Sequence, residues 1–464
     1  MPGLTQQDKL INYASVFVYN PKLRQDFKDY LPSVSTFENS QIFPIGTASK
    51  FQEFIRMSDE QQRQALEAKD KAEDTIRLLF EIVKKVQGDA KLVTFALLMI
   101  DGILEERRSR IQYLVAIQRS VKKDRKEDLI AILNSFLWSN TQSTMEQRDL
   151  ATHILAQLIE ATQYRHCESQ ARDFLNWLLE QRGKYQVSKQ AYTFALMYLL
   201  KTNELAREFE RSGGFDIFSG FLNNDCINEH QVAYNVIAAL WIISYHPFAL
   251  KRFEDYSLEI IERSVKILDY FNKEKIVRVV LLLLDNLKQQ SEGCHEIMSD
   301  IGVLNTIVKL QNRHWVDQDI TEMLERLYDY LDQNQKSFSS IEKFKKEVGV
   351  RKVLRWGPIH TEKFWQENFI HFHEKENLDL IKVLVEIVRR VNSDDREKAI
   401  ACFDLGEFAR FFPFGRQFLD QLGVKETLTG VMGRLGSSAE LKKEAITCYQ
   451  KLLMNTWTGA DFKV

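Results

Sequence analysis

The sequence predicts an all-α protein, an α-solenoid with a long N-terminal stack and a smaller C-terminal stack. Three observations indicate this fold: proline is scarce, apolar residues recur at helical intervals, and strongly apolar segments recur at one fixed spacing. A chain of 464 residues is too long for one ordinary core, whereas a solenoid grows by adding repeats that contact only their neighbours.

The scarcity of proline predicts long runs of helix. Only seven prolines occur, and none lies between Pro44 and Pro247. Since proline costs about 3 kcal/mol inside a helix, a proline-free stretch rich in Leu, Ala, Glu, Lys and Gln favours helices joined by short turns. The apolar residues between Leu380 and Val391 follow the i, i+3, i+4 pattern of a helix buried along one side.

A repeat supports the same fold. Four strongly apolar segments align on Leu158, Leu200, Ile242 and Leu284, and subtracting neighbouring positions gives 42 residues each time. This interval falls within the roughly 40 to 47 residues of armadillo and HEAT units. The solenoid is therefore predicted to be armadillo/HEAT-like.

Glycines are expected to form the turns between some of these helices. Gly214, Gly302 and Gly423 each precede an apolar helical segment. A glycine at such a position lets the chain turn sharply into the next helix, whose apolar face then packs into the stack.

Two segments interrupt the pattern. Residues 31–47 contain two prolines and several Ser and Thr residues, which predicts a loop or a mobile segment. Residues 333–350 are polar and charged, which predicts a domain boundary. We therefore predict an N-terminal armadillo/HEAT-like solenoid at 1–345 and a C-terminal helical-repeat domain at 346–464.

Charge and hydropathy argue against nucleic-acid binding and membrane insertion. The chain has 63 basic and 65 acidic side chains, whereas nucleic-acid-binding proteins usually carry a basic excess. The first ten residues lack the apolar stretch of a signal peptide, and the longest apolar run, residues 279–284, is far shorter than the ~18 residues of a membrane span. We expect a soluble chain that binds no nucleic acid and does not insert into a membrane.

No motif predicts catalysis, a cofactor or a metal site. The chain lacks a P-loop, a Rossmann glycine pattern and a nucleophile elbow. His371 and His373 form an H-x-H pair beside Glu374, but residues i and i+2 of a helix point to nearly opposite sides. The cysteines are widely spaced and are expected to be reduced thiols inside helices: Cys167, Cys226, Cys294, Cys402 and Cys448.

An aromatic cluster follows the predicted boundary. Trp356, His360, Phe364 and Trp365 lie within ten residues of one another. Such a cluster either wedges two stacks together or forms a hot spot for a partner protein, and both readings stay open.

The same segment resembles a known family. The run L-R-W-G-P-I-H-T-E-K-F-W-Q-E-N at 354–368 resembles the signature L-x-W-S-P-x-H-x-x-x-F-W-x-x-N, which opens the C-terminal domain of the H subunit of the vacuolar-type proton-translocating ATPase. It departs at Gly357, where the family usually has Ser. Asp404 to Arg410 and the later Pro413 and Gly415 are similar to its D-x-G-E-[YF]-x-R and P-x-G stretch. Further similarities lie at 98–104 and 234–279.

The resemblance implies a non-catalytic regulatory component in the peripheral sector of a proton pump. Such a component supports coupled ATP hydrolysis in the holoenzyme and inhibits hydrolysis in the detached sector. Its implied partners are peripheral-stalk subunits of E and G type, the cytosolic domain of the a-type membrane subunit, and hydrolytic-sector and rotor subunits. Its implied location is the cytoplasmic face of vacuolar or other acidic-organelle membranes.

Charged residues near the aromatic cluster are candidate partner contacts. We expect Lys363, Glu407 and Arg410 to contribute, since charges at such a surface steer docking. Asp404 is expected to make a local helix bond or cap. The alternative function is an armadillo-type scaffold or transport adaptor that binds peptides or proteins.

Overall fold

The protein is all-helical throughout the residues that the structure describes. In the described residues every regular element is a helix, so the predicted all-α class is confirmed. Among them, no helix combines the length and apolar character needed to cross a bilayer. The structure, a computed structural model, describes residues 21–86, 88–120, 128–138, 143–181, 186–222, 229–333, 340–351, 354–390, 394–434 and 436–453.

The chain divides into two units. The first comprises Met1–Ala249 and Ile267–Asn286, and the second comprises Leu250–Lys266 and Leu287–Val464. These units have different bounds from the two predicted stacks, and the division at residue 345 stays a prediction.

The first unit contains fourteen complete α-helices among its described residues. They are α1 (Pro21–Asp26), α2 (Ser35–Asn39), α3 (Thr47–Arg56), α4 (Asp59–Ala65), α5 (Lys69–Lys85), α6 (Ala90–Glu106), α7 (Ile111–Ser120), α8 (Leu129–Asn134), α9 (Met145–Thr162), α10 (Glu168–Glu180), α11 (Lys189–Leu199), α12 (Asn203–Arg211), α13 (Gly214–Phe221) and α14 (His230–Ile243).

Three helices contribute residues to both units, and ten more lie within the described part of the second. The shared helices are α15 (Pro247–Asp255), α16 (Arg263–Tyr270) and α17 (Glu274–Gln290). The others are α18 (Glu292–Asp300), α19 (Val303–Gln311), α20 (Gln318–Gln333), α21 (Ser340–Phe344), α22 (Glu362–Asn368), α23 (Lys375–Arg389), α24 (Asp395–Phe411), α25 (Gly415–Gln421), α26 (Val424–Gly433) and α27 (Ala439–Leu453). The second unit also contains π-helical turns at Ser257–Glu262 and Lys345–Arg351 and a 3-10 turn at Phe369–His373.

The core of the first unit follows the predicted repeat. Helix α11 packs against both α9 and α14, as expected of successive core helices in a solenoid. The four residues that define the 42-residue spacing are all buried: Leu158, Leu200, Ile242 and Leu284. The predicted armadillo/HEAT-like solenoid is confirmed.

Polar side chains repeat in the same register. The Asn235 amide Nδ2 donates to Thr193 Oγ1 at 3.2 Å, and Asn286 Nδ2 donates to Ser244 Oγ at 2.7 Å. Each pair is 42 residues apart. A buried amide without a partner is costly, so these bonds favour one register between neighbouring repeats.

Left-handed glycines precede four of the described helices, α3, α13, α19 and α26, and for α13 the prediction needs one correction. Gly302 and Gly423 have φ of 72° and 67° and precede α19 and α26 as expected. Before α13, however, the left-handed residue is Gly213, with φ of 79°. Gly214 is instead the first helical residue, where an added Cβ would lie 2.2 Å from the Phe209 ring. Its role is close packing, which glycine alone permits.

The two segments predicted as interruptions contain helix. The predicted loop at residues 31–47 includes α2, a single short helix. In the second segment, Ile341, Phe344 and Val348 are buried in the core of the second unit. Their spacing is helical, but charged and polar residues dominate the composition of the segment. Composition alone therefore predicts a boundary here and not a helix. Helix α23 buries its predicted apolar side and ends at Arg389. Val391, the last residue of the predicted apolar pattern, lies outside the described residues.

Candidate functional site

The signature segment forms a loop followed by a capped helix. The Thr361 hydroxyl accepts a hydrogen bond from the Phe364 amide at 3.2 Å and so caps the N-terminus of α22. At its other end, the Asn368 amide Nδ2 donates to the Phe364 carbonyl at 2.8 Å, and Asn368 Oδ1 accepts from Ser340 Oγ at 2.9 Å. The bond from Ser340, the first residue of α21, holds the helix against α21.

The aromatic residues of the segment are mostly core. Phe364 and Trp365 are buried, with exposed fractions of 3% and 0%. The Phe364 ring stacks on Phe344 at a centroid distance of 5.0 Å, and Trp365 lies 4.9 Å from Phe372. Phe364 and Trp365 therefore lie inside one unit, where they stabilise its core.

A buried polar network lies beside these rings. His360 Nδ1 lies 2.6 Å from Asp404 Oδ2, and His360 Nε2 lies 3.0 Å from Glu347 Oε1. The Trp365 indole N–H donates to the other Asp404 oxygen at 2.9 Å. The expectation that Asp404 makes a local helix bond or cap is wrong, because its carboxylate joins His360 of the loop to Trp365 of α22.

Sequence reasoning missed Glu347, the third charged member of the network. Its carboxylate also accepts from the Arg355 amide at 2.7 Å, which holds the start of the loop. The sequence signal that points to it is a carboxylate one position before the buried Val348, within the segment whose charges predict a domain boundary.

The two carboxylates keep His360 protonated. Burial favours the neutral imidazole, but the charges of Asp404 and Glu347 outweigh it and raise the pKa of His360 to about 10. Burial raises the pKa of Asp404, although His360 opposes this shift. We take the imidazolium with an ionised Asp404 as the state at neutral pH, because both ring nitrogens face carboxylate oxygens and a neutral ring has only one N–H.

We predict that this network makes stability depend on pH. The folded pKa of His360 lies above its ordinary value of 6.5, so its stabilisation is fully present below about pH 6.5 and lost as pH rises to about 10. Calorimetry should show the wild-type melting temperature falling between pH 7 and 10 more steeply than that of His360→Gln. The exposed His371→Gln variant is the control and should keep the wild-type dependence; equal slopes for wild type and His360→Gln would contradict the prediction.

Trp356 is the half-buried member of the aromatic cluster. Its indole N–H donates to Glu440 Oε1 at 2.8 Å, and its ring meets the Phe403 ring edge-on at 5.4 Å. The Trp356 carbonyl accepts from the Ser257 hydroxyl at 2.9 Å. Trp356 therefore lies at the surface of the second unit, in contact with α24 and α27.

The three charged candidates occupy different environments. Lys363 is highly exposed, and Arg410 is exposed and pairs with Glu362 at 2.9 Å. Glu407 is buried and pairs with Lys451 at 2.6 Å. That these residues bind a partner stays a prediction. The two exposed side chains, Lys363 and Arg410, are more accessible to a partner than the buried Glu407.

The histidine pair and the other possible ligands form no metal site among the described residues. Within the described ranges, no group of three or more His, Cys, Asp or Glu side chains is arranged to hold a metal ion. His371 and His373 are exposed on the 3-10 turn that precedes α23.

The described cysteines are buried thiols. Burial raises the pKa of Cys167 to about 11 and that of Cys294 and Cys448 to about 12. It also raises the pKa of Cys402 well above its ordinary range. Such thiols hold little reactive thiolate at neutral pH. Cys226 lies outside the described residues.

Comparison with known proteins identifies relatives along most of the chain. Two family models, both described as the V-ATPase H subunit, match residues 40–331 and 337–457. The V-type proton ATPase H subunit of Drosophila melanogaster is 26% identical over 425 residues, covering 87% of this chain and 86% of the fly protein. A probable V-type proton ATPase H subunit of Oryza sativa subsp. japonica is 30% identical over 227 residues, or 48% of each chain. Among solved structures, a designed armadillo repeat protein matches 60% of this chain and 99% of its own, with 14% identity and a TM-score of 0.28.

Proposed function

Because this chain belongs to the V-ATPase H subunit family, we propose that it is a non-catalytic regulatory component of the pump's peripheral sector. In this role it supports coupled ATP hydrolysis in the holoenzyme and inhibits hydrolysis when the peripheral sector is detached. The observation that carries the proposal is the pair of consecutive family matches, at 40–331 and 337–457.

The proposed partners are other subunits of the pump. They are the peripheral-stalk subunits of E and G type, the cytosolic domain of the a-type membrane subunit, and the hydrolytic and rotor subunits. The proposed location follows from them: the cytoplasmic face of a vacuolar or other acidic-organelle membrane. A solenoid offers long, rigid, solvent-facing surfaces, which suits a protein that contacts several partners at once.

Reconstitution tests the regulatory role. The purified chain is added to the intact pump lacking this component and, separately, to the detached peripheral sector. We expect proton-coupled ATP hydrolysis to rise several-fold in the first case and ATP hydrolysis to fall in the second. If neither rate changes while the chain remains folded, the regulatory proposal is wrong and the scaffold or adaptor function becomes the better account.

Charge reversal at Lys363 and Arg410 tests the partner contact. Because exposed charges act mainly on the association rate, Lys363→Glu with Arg410→Glu should slow binding to the pump depleted of this chain by a few-fold to about tenfold. The effect should shrink as salt is raised, since screening weakens long-range steering. Biolayer interferometry at low and high salt measures both expectations.

Lys382→Glu is the matched control for that experiment. Lys382 lies on the exposed side of α23 and, like Arg410, is about half exposed and pairs with a neighbouring carboxylate, Asp379. If the double variant and this control bind at the same rate, Lys363 and Arg410 are not contacts. Glu407 is unsuitable for the test because reversing it leaves the Lys451 ammonium facing a buried positive charge.

A further inference from the structure

The second unit has an apolar core that begins at Ile341. Its buried members run from Ile341 to Leu452, and among the described residues none of them precedes Ile341 in the chain. The same unit also includes the end of α15, the π-helical turn at Ser257–Glu262 and α18, which all precede this core. These earlier elements therefore attach to residues 340–453 through contacts outside the core.

Four ion pairs contribute to this attachment, and their charges are segregated. The pairs are Lys343–Asp300, Lys346–Glu296 at 2.8 Å, Arg355–Glu254 at 2.5 Å and Arg396–Glu259 at 2.8 Å. In each pair the cation lies after residue 340 and the carboxylate lies before residue 301. We call the four cations the basic face and the four carboxylates the acidic face. Two faces of opposite charge attract and orient each other.

Further polar contacts join the same elements. The Ser257 hydroxyl donates to the Trp356 carbonyl at 2.9 Å. The Arg396 guanidinium also lies 4.3 Å from the ring centre of Tyr256. At Gly293 of α18, an added Cβ would lie 2.3 Å from the Glu254 carboxylate and 3.1 Å from the Arg355 guanidinium. That ion pair therefore lies directly on the α18 backbone.

Apolar packing between the two faces is incomplete. A cavity of about 50 Å³ lies between them, with Ile297 and Ile301 on one side and Pro358 and Ile359 on the other. Side chains that border a gap lose the dispersion contacts that close packing would give them. The attachment therefore depends more on its charges than a well-packed core does.

Salt can reach these charges. The eight paired side chains are between 15% and 46% exposed. Dissolved ions screen partly exposed pairs, and each such pair contributes little by itself. The attachment should therefore weaken as ionic strength rises, whereas the apolar core from Ile341 to Leu452 should not.

We propose that the basic and acidic faces form a salt-labile clasp, through which residues 340–453 dock reversibly on α15, the Ser257–Glu262 turn and α18. When the clasp opens, the core from Ile341 to Leu452 stays folded and both charged faces meet solvent. The clasp is a property of this chain alone and does not depend on the proposed role in the pump.

Hydrogen exchange of the full wild-type chain, followed by mass spectrometry, tests the clasp first. Between about 50 mM and about 500 mM NaCl, we expect amides of α18 and of residues 354–360 to exchange at least about threefold faster in the higher salt. Amides of α23, which lies in the core, should keep their rate. Exchange of α18 and residues 354–360 that does not respond to salt would overturn the proposal.

Charge-swapped variants locate the clasp. Lys346→Glu with Arg396→Glu places like charges opposite each other and should speed exchange of the same segments at least about tenfold in low salt. Adding Glu296→Lys and Glu259→Arg restores opposite charges in the reverse order, which should return the rates to within about twofold of wild type. If the fourfold variant exchanges as fast as the double variant, these pairs do not form a clasp.

Lys382→Glu with Lys425→Glu is the matched control. Both lysines pair with carboxylates that also lie after residue 340, Asp379 and Asp420, so the same change in charge falls outside the two faces. This variant should exchange like wild type, and equal opening in it would show that net charge and not the clasp sets the rates. Faster exchange of α23 in the Lys346→Glu, Arg396→Glu variant would mean unfolding instead of undocking and would also refute the proposal.

Discussion

Replacing Asp404 with alanine should lower the free energy of unfolding of the second unit by about 3 to 5 kcal/mol, the usual cost of removing one member of a buried ion pair. The variant leaves the His360 imidazolium with a single carboxylate, and it leaves the Trp365 indole without the acceptor that now lies at 2.9 Å. Urea unfolding followed by circular dichroism measures the change, with each transition fitted separately because the chain has two units.

Asp379→Ala is the control for this prediction. Asp379 is also an aspartate in an ion pair, with Lys382 at 2.6 Å, but both side chains are about half exposed. Exposed pairs contribute little, so we expect a change within about 0.5 kcal/mol. A loss at Asp404 no larger than the loss at Asp379 would show that the buried network does not stabilise the fold.

Gly415→Ala should be the second severe change, because the new methyl group meets backbone. An added Cβ would lie 2.5 Å from the Phe408 carbonyl oxygen and 3.1 Å from the Ala409 Cα. Backbone atoms inside α24 cannot rotate away as a side chain can, so α25 must shift from its position on that helix. We expect a loss of about 1 to 3 kcal/mol or more in the same urea titration, as for overpacked cores.

Gly430→Ala is the opposite case in the neighbouring helix. Gly430 is exposed within α26, and an added Cβ meets nothing within 4 Å. Alanine there should raise the free energy of unfolding by about 0.5 to 1 kcal/mol, because it restricts the unfolded chain and favours helix. If the two substitutions had the same sign, the close contact at Gly415 would not be the cause of its loss.

The sequence by itself determined the helices and the repeat. Proline scarcity, the stripe between Leu380 and Val391 and the 42-residue register from Leu158 to Leu284 all depend on residues close in sequence or on simple spacing. Helical periodicity is a local property, so it can be read without knowing which helix packs on which. The sequence also carried the family signature at 354–368, which the family models support.

Only the tertiary structure decided what the signature residues do. His360 pairs with Asp404, 44 positions away, and with Glu347, 13 positions away. Neither separation follows a sequence pattern from which the contact could be predicted. Packing likewise decided that Phe364, Trp365 and Glu407 are buried, while Lys363 and Arg410 face solvent. The reason is physical: burial and charge pairing depend on which helix faces meet, and that is settled when the whole core assembles.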